Sequence, residues 1–411
     1  MATIALEKAN ESAADISQIN KPVEVRVRVI RSRSEIEEIR SVWISMQRHP
    51  NADIDCYITL LESGSGKAWK PHILIVYRGG IPEAMLIGRV ESTRLSLKIG
   101  YAELLKPRVR ALVFIYGGLL GNASAENCEL LAREAVKSLR NYVADIAFFN
   151  HLRADSNLYP ALRSVPGFII RDHFPSVQNH RIMQLPGTES EFWHTLSLKL
   201  RKNLRWKKLL KEHADDVKIH CFRKVSELDR MVKDVEQVAK TTYQRALRVG
   251  FSDDLEMRAL FCLKARNGWL RAFVLYANDR PCAFWIGTIY QGTLHSDQMG
   301  YDPEYRAYSP GMYLVMRSIE GFRISDTEKE IRAVDFGMGD AEYKATLGNE
   351  EWEDASIYLF APHARGLMLN SIRTPILLID KVAKMILRKA QLLQQVKRVW
   401  RHRAQKTTGD K

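Results

Sequence analysis

Two stretches of this 411-residue chain hold residues whose types and spacing bear on chemistry. The first is GYDPEYRAYSPGMYLVMRSIEGF, Gly300 to Phe322, in which Pro303, Pro310 and Gly311 punctuate a segment that then reads as helix. Pro310 suits a first helical position, where a missing N–H costs nothing, and Ser309 suits the N-cap before it. A helix start of this kind presents unpaired backbone N–H groups and the positive end of the dipole. An anionic ligand is one expectation and an ordinary capped helix the other. The second stretch is FWHTLSLKLRKNLRWKKLLKEH, where Leu196, Leu200, Leu204 and Leu210 recur near helical spacing. Lys199, Arg201, Lys202, Arg205, Lys207, Lys208 and Lys211 cover the remaining faces, with no acid until Glu212. They make either a solvated face or a seat for an anionic acceptor such as a nucleotide sugar, a phospholipid or a polyprenyl phosphate. No nucleophile triad, Walker loop or metal-ligand spacing is spelled out, so no metal is expected.

The length points to two or more domains, and 46% hydrophobic with 9% aromatic residues to a globular chain. The opening MATIALEKANESAADISQIN lacks the apolar core of a secretory signal and reads as a flexible tail without export. The apolar run ALVFIYGGLLG, Ala111 to Gly121, falls short of the roughly 20 residues of a membrane-spanning helix. Five scattered cysteines, odd in number and without a C-x-x-C pair, fit reduced thiols in a cytoplasm. Of the net charge of +14, most sits at the end: residues 363–411 hold twelve Lys or Arg against two Asp. The body is only mildly basic and calls for no nucleic-acid partner.

That last segment carries Ile376, Ile379, Ala383, Ile386, Ala390 and Leu393 on one helical face, with Lys381, Lys384, Arg388 and Arg398 largely opposite and Pro375 near the predicted helix start. Residues 374–403 thus have the pattern of a basic amphipathic helix at an anionic membrane surface, or of one docked on its own domain or a second subunit.

The chain also repeats. YRGGIPEAMLIG, Tyr77 to Gly88, and YANDRPCAFWIG, Tyr276 to Gly287, share Tyr, Pro, Ala, Ile and Gly in register, 199 residues apart. Each reads as strand, tight turn, strand, and each precedes another apolar strand, a glycine-containing loop and a helix. A duplicated α/β domain is the economical reading. It predicts a tail over residues 1–23, an N-terminal domain over 24–186, a C-terminal domain over 187–362 and the amphipathic tail over 363–411.

The residues of the first stretch resemble the GNAT acyltransferases, whose strand-to-helix turn follows P-x-[Y/W/H]-[R/Q]-G-x-G-x-[G/A]-x-x-L. Pro303, Tyr305, Arg306, Gly311 and Leu314 fall on matching places, with Ala307 and Ser309 where the first two glycines stand. DFGMGDAEYKATLG resembles the D-F-x-x-G-D-x-x-Y-K pattern of the CelD-like branch, linked to cellulose and exopolysaccharide synthesis and similar to Fem-type tandem GNAT proteins. Asp335, Phe336, Gly339, Asp340, Tyr343 and Lys344 are in place. Arg201, Asn203 and Arg205 match the basic helix that opens the second domain in that branch. The resemblance covers roughly residues 190–362, and the first half resembles the family in layout.

The fold so implied is a tandem of GNAT-like mixed α/β (α+β) domains plus the C-terminal basic amphipathic helix, the first domain without cofactor. The activity so implied is transfer of an acyl group, acetyl above all, from acyl-CoA to a sugar or cell-envelope precursor; composition and tail point separately to the cytoplasm, at the inner face of a membrane if the tail binds one. Acyl-CoA would lie on Arg306, Ala307, Tyr308, Ser309, Gly311 and Met312. Asp340 is the first candidate base, His295 and Asp297 on the preceding strand are the next, Tyr343 is the candidate acid, and Arg201, Arg205 and Lys344 would meet the acceptor. A binding or scaffold protein that kept the fold, or a Fem-like aminoacyl transferase, are the alternatives.

Overall fold

The computed structural model describes residues 24–63, 69–100, 102–195, 217–242, 250–324, 328, 330–339 and 341–389. Among the described residues there are fifteen strands. The first half supplies β1 (Val25–Ile30), β2 (Lys70–Pro71), β3 (Ile73–Arg78), β4 (Ile81–Arg94), β5 (Leu97–Ile99), β6 (Ala102–Leu105), β7 (Arg108–Gly121), β8 (Ile146–Arg153) and β9 (Ser176–Gln184). The second supplies β10 (Val217–Phe222), β11 (Leu270–Ala277), β12 (Arg280–Tyr290), β13 (Thr293–Tyr301), β14 (Ala333–Met338) and β15 (Glu350–Phe360). Thirteen of them make one mixed sheet, in the order β1-β3-β4-β7-β8-β15-β9-β14-β13-β12-β11-β10 with β2 on β4. Neighbours are antiparallel except β7 with β8 and β13 with β14, each pair joined by a helix, Ala125–Arg140 and Pro310–Ile324.

The order reads the same from either end, and the sequence repeat accounts for it. Hairpins β3–β4 and β11–β12 turn through Gly79-Gly80 and Asn278-Asp279, all four at positive φ, which residues of these types adopt at least cost. Both ladders slip at equivalent places, after Val76 and after Leu275, and again on entering Gly88 and Gly287. A side chain at Gly287 would stand 2.9 Å from the carbonyl of His295 on β13, so glycine there lets the two strands close. Helices Ala125–Arg140 and Pro310–Ile324 each cover one face of their own half with a buried apolar stripe.

The last strand of each half is exchanged. β9 of the first half lies beside β14 of the second, β15 of the second lies beside β8 of the first, and β9 and β15 pair with each other at the centre.

The closing helix runs Ala364–Lys389, so Pro375 is interior to it rather than near its start. Its first part docks on the body: Leu369 is buried, Ile372 and Ile376 pack on the core, and the buried Arg373 guanidinium lies 2.7 Å from Asp172. Ile376 therefore faces inward, while Leu378, Ile379, Val382, Met385 and Ile386 are exposed. Among the described residues no helix is long and apolar enough to cross a membrane. Ala390, Leu393 and Arg398 lie outside the described residues.

At the exchange point one fully buried imidazole ties three strands. His180 on β9 reaches Asp335 Oδ1 on β14 at 2.7 Å through Nε2 and Asp354 Oδ2 on β15 at 2.6 Å through Nδ1, with Trp352 stacked on its ring at 4.4 Å. Burial opposes the charged ring, yet the two carboxylate hydrogen bonds prevail and raise His180 from 6.5 to about 9. Stability drawn from a raised histidine is complete below its unfolded value and lost as pH rises through the folded one. The melting temperature should therefore decline between about pH 6.5 and 9 and hold its plateau below, down to the acid range where Asp335 protonates. His180→Phe, which strands two buried carboxylates, should cost about 3–5 kcal/mol in denaturant unfolding and remove that alkaline decline in calorimetry. A variant as stable as the parent would sink this account of the clasp.

Candidate acyl-transfer site

β13 and β14 pair over three residues only, Thr293 with Ala333, Leu294 with Val334 and His295 with Asp335. Beyond them β13 continues along β12, while β14 follows β9 through an irregularity at Asp335/Gly337, where Gly337 takes φ +68. His295 and Asp335 are thus the last pair that joins the two strands before they part. Asp335 Oδ1 accepts from His180 and from the Gly337 N–H at 2.7 Å, and Oδ2 lies 3.3 Å from His295 Nδ1. Burial works against the Asp335 carboxylate, but His180 and His295 hold it well below the usual range, so it is an anion at neutral pH. The His295 side chain keeps 14% of its surface exposed. Nδ1 is buried and within ion-pair range of Asp335 but makes no hydrogen bond, so the arrangement a general base requires, a proton on Nδ1 and an acceptor at Nε2, needs a small turn of the ring toward Asp335.

The first half reaches the same place. His49 stands edge-on to His295 with ring centroids 4.6 Å apart and to Tyr116 of β7 at 4.4 Å. Its Nδ1 accepts the Asn51 N–H at 3.1 Å, and its buried Nε2 has no hydrogen-bond partner. Burial, with His295, His180 and Lys264 adding to it against Asp335, pushes His49 down to about 3.

His49, His295 and Asp335 each offer a ligand atom within 4.8 Å of the others, a grouping that spacing in the sequence did not announce. The fit to a metal ion is poor on one count. The Asn51 N–H occupies the Nδ1 lone pair, which places the proton on Nε2, whereas an ion at the cluster would need a lone pair on Nε2.

The turn expected to hold acyl-CoA is a short 3-10 helix, Pro303–Tyr308, followed directly by the helix Pro310–Ile324. Asp302 caps the former by accepting from the Glu304 N–H at 3.1 Å. Pro310 is the first helical residue as expected, and Ser309 holds the position before it, its carbonyl accepting the Tyr313 N–H at 3.1 Å. Ser309 is left-handed, φ 53 and ψ 52, and its N–H is donated to the Arg306 carbonyl at 3.2 Å, so that donor is spent inside the turn. The reason lies in the 3-10 helix, whose end must reverse before Pro310 can start a new axis. Arg306 and Ala307 are exposed, Tyr308 and Met312 half-buried, and Gly311 is buried, with a methyl there meeting only Tyr301 and Met299 at 3.7 and 3.8 Å. The amides of Gly311 and Met312 belong to the first helical turn, where no partner exists within the helix.

The remaining expected site residues part company. Asp297 is the extra residue of a bulge on β13, and its Oδ2 accepts from Lys264 Nζ at 2.9 Å and Thr288 Oγ1 at 2.6 Å, which commits it to an ion pair. Tyr343 packs edge-on against Phe336 at 5.9 Å in the core of the second half. Lys344 donates to the Met338 carbonyl at 2.6 Å, bracing the Gly337–Gly339 turn, and burial pushes its ammonium down against the pull of Asp335. Asp340, Arg201 and Arg205 lie outside the described residues. The structure thus joins His295 to His180, Asp354 and His49, three residues that no local pattern singled out. Asp335 stood in the quoted motif, but with no role attached.

No curated protein matches the chain. Among solved structures it is similar to FemX (10% identity, 78% of this chain and 95% of that one, TM-score 0.48). It is likewise similar to a tandem GNAT protein from the clavulanic acid biosynthesis pathway (12%, 83% and 100%, TM-score 0.46). A third is the C-terminal domain of a putative lysylphosphatidylglycerol synthetase from Agrobacterium fabrum (12%, 84% and 98%, TM-score 0.46). The segment that holds the parted strands, the turn before Pro310 and His295 with Asp335 is also the one that a family model covers: residues 199–345 match the acetyltransferase (GNAT) domain.

Proposed function

We propose that this chain is an acyltransferase that moves an acyl group, acetyl in the simplest case, from acyl-CoA to a hydroxyl or amine of a polysaccharide or cell-envelope precursor. The observation that carries the reading is the parting of β13 and β14 immediately after His295 and Asp335, within the segment that matches the acetyltransferase domain. A thioester laid between the strands has backbone groups of both edges beside it and an oriented imidazole at its inner end. His295 takes the acceptor's proton on Nε2 as the acceptor bonds to the thioester carbon, and Asp335 holds the ring and stabilises the imidazolium. Collapse of the tetrahedral intermediate breaks the C–S bond, and the departing thiolate recovers the proton. In this reading Asp335 orients rather than reacts, Tyr343 packs on Phe336 of β14, and Lys344 braces the turn after it. The phosphates of CoA lie at the start of the helix Pro310–Ile324, on the Gly311 and Met312 amides with Arg306 nearby. The reading favours transfer chemistry over a scaffold that lost it, because His295 and Asp335 stand within ion-pair range of each other, as a base and its orienter must.

The exposed stripe Leu378, Ile379, Val382, Met385 and Ile386, flanked by Lys381 and Lys384 and continued in sequence by a basic tail, supports a place at an anionic lipid surface, where envelope precursors reside.

Three outcomes test these proposals. Titrated with acetyl-CoA, the protein should melt at a higher temperature, and Gly311→Glu, folded to the same extent, should lose the shift because a carboxylate then occupies the phosphate position. His295→Gln should bind acetyl-CoA as tightly as the parent while releasing CoA thiol to hydroxylamine roughly 100-fold more slowly; an undiminished rate would return Asp340 to first place as base. Paired substitutions Leu378→Glu and Val382→Glu should abolish flotation with liposomes rich in anionic lipid without lowering the melting temperature, and salt should weaken the parent's flotation. Parent protein that stays in solution at low salt ends the membrane proposal.

A further inference from the structure

We infer that His49, from the first half of the chain, supplies a fixed and uncharged N–H donor to the acyl-transfer centre of the second half, so that the centre is complete only across both halves. The inference rests on the acyl-transfer reading and extends it to the oxyanion.

The placement of His49 is built, not incidental. His49 N-caps the 3-10 turn Pro50–Ala52, and the loop around it is locked from both sides. Gln47 donates to Asp53 Oδ2 at 2.7 Å and accepts the Ile54 N–H at 3.0 Å. The second half grips the same loop at the β12–β13 turn, where Tyr290 Oη donates to Asp53 Oδ2 at 2.9 Å and Gln291 Nε2 to the Gln47 carbonyl at 3.2 Å. On the far side β7 makes room: Gly117 takes φ +74, and a Cβ there would stand 2.6 Å from His49 Cγ. Tyr116 and His295 both make edge contacts with the ring.

The ring so held has one atom without a partner, the buried Nε2. Because Nδ1 accepts from the Asn51 main chain, Nε2 bears the proton. An unmet buried donor costs about 1–3 kcal/mol, a cost relieved when an acceptor enters. As the acceptor's oxygen or nitrogen bonds to the thioester carbon and its proton passes to His295, the carbonyl π pair moves onto oxygen. The His49 N–H is the donor that meets this oxyanion. When the pair returns and the C–S bond breaks, the CoA thiolate leaves with the proton from His295. A donor that stays neutral gives up no proton to the base beside it and sets no second cation against the imidazolium of His295.

The test uses the full chain, with acetyl-CoA as donor and hydroxylamine as acceptor. His49→Phe keeps the ring volume and removes the donor; it should leave the acetyl-CoA affinity and melting temperature near those of the parent and slow thiol release by about 100- to 1,000-fold. His49→Gln, which returns an N–H at similar reach, should regain at least about tenfold of that loss. Nitrogen-15 spectra of histidine-labelled protein should show His49 as the neutral Nε2–H tautomer from pH 5 to 8. Thiol release by His49→Phe within threefold of the parent, an Nδ1–H tautomer, or displacement of the His49 Nε2 proton by one equivalent of zinc would each overturn the inference while leaving the acyl-transfer reading intact. Parent protein that binds no acetyl-CoA would overturn the reading and the inference together.

Discussion

The sheet depends on a single buried charge arrangement at its centre. Two carboxylates, Asp335 and Asp354, arrive on strands either side of β9, and neither could be buried there without a cation between them. The His180 imidazolium satisfies both and leaves no N–H unmet. Its packing partners are aromatic, Trp352 stacked at 4.4 Å and Tyr116 at 5.9 Å, so the pair of ion contacts sits in a region of low polarity where each is strengthened. Strand exchange and site share this cluster, because the carboxylate that anchors β9 with one oxygen steadies His295 with the other.

What the sequence made legible was local. Gly79-Gly80 and Asn278-Asp279 announce their hairpins because positive φ is cheap for those residue types, and the five shared residues of the repeat proved to sit on ladders with the same irregularities. The apolar face of the closing helix was also readable, although Ile376 turns inward, because periodicity gives the stripe and not which part of it finds a partner. The left-handed backbone of Ser309 was not legible, because Pro310 marks a helix start equally well after an extended residue or after a left-handed one.

The site was less legible, for a physical reason. Its members come from positions 49, 180, 295, 335 and 354, brought together by strand pairings whose sequence separations leave no spacing to recognise. His49 and His180 each stand in polar-looking context, and nothing adjacent marks them as buried. Asp297 and His295, two residues apart on one strand, looked alike; the bulge at Asp297 sends it to Lys264 while His295 turns to Asp335.

The exchange of β9 and β15 sets the order in which the molecule can be made. As the chain leaves the ribosome, the first half emerges with β8 lacking one neighbour, since that neighbour, β15, follows β10 to β14 in the chain. The nascent first half therefore waits with an open edge and with β9 unclasped until residues 350–360 arrive. Closure of the sheet is a late, long-range event, of the kind that loop-closure entropy makes slow and that leaves strand edges exposed to wrong partners in the interval.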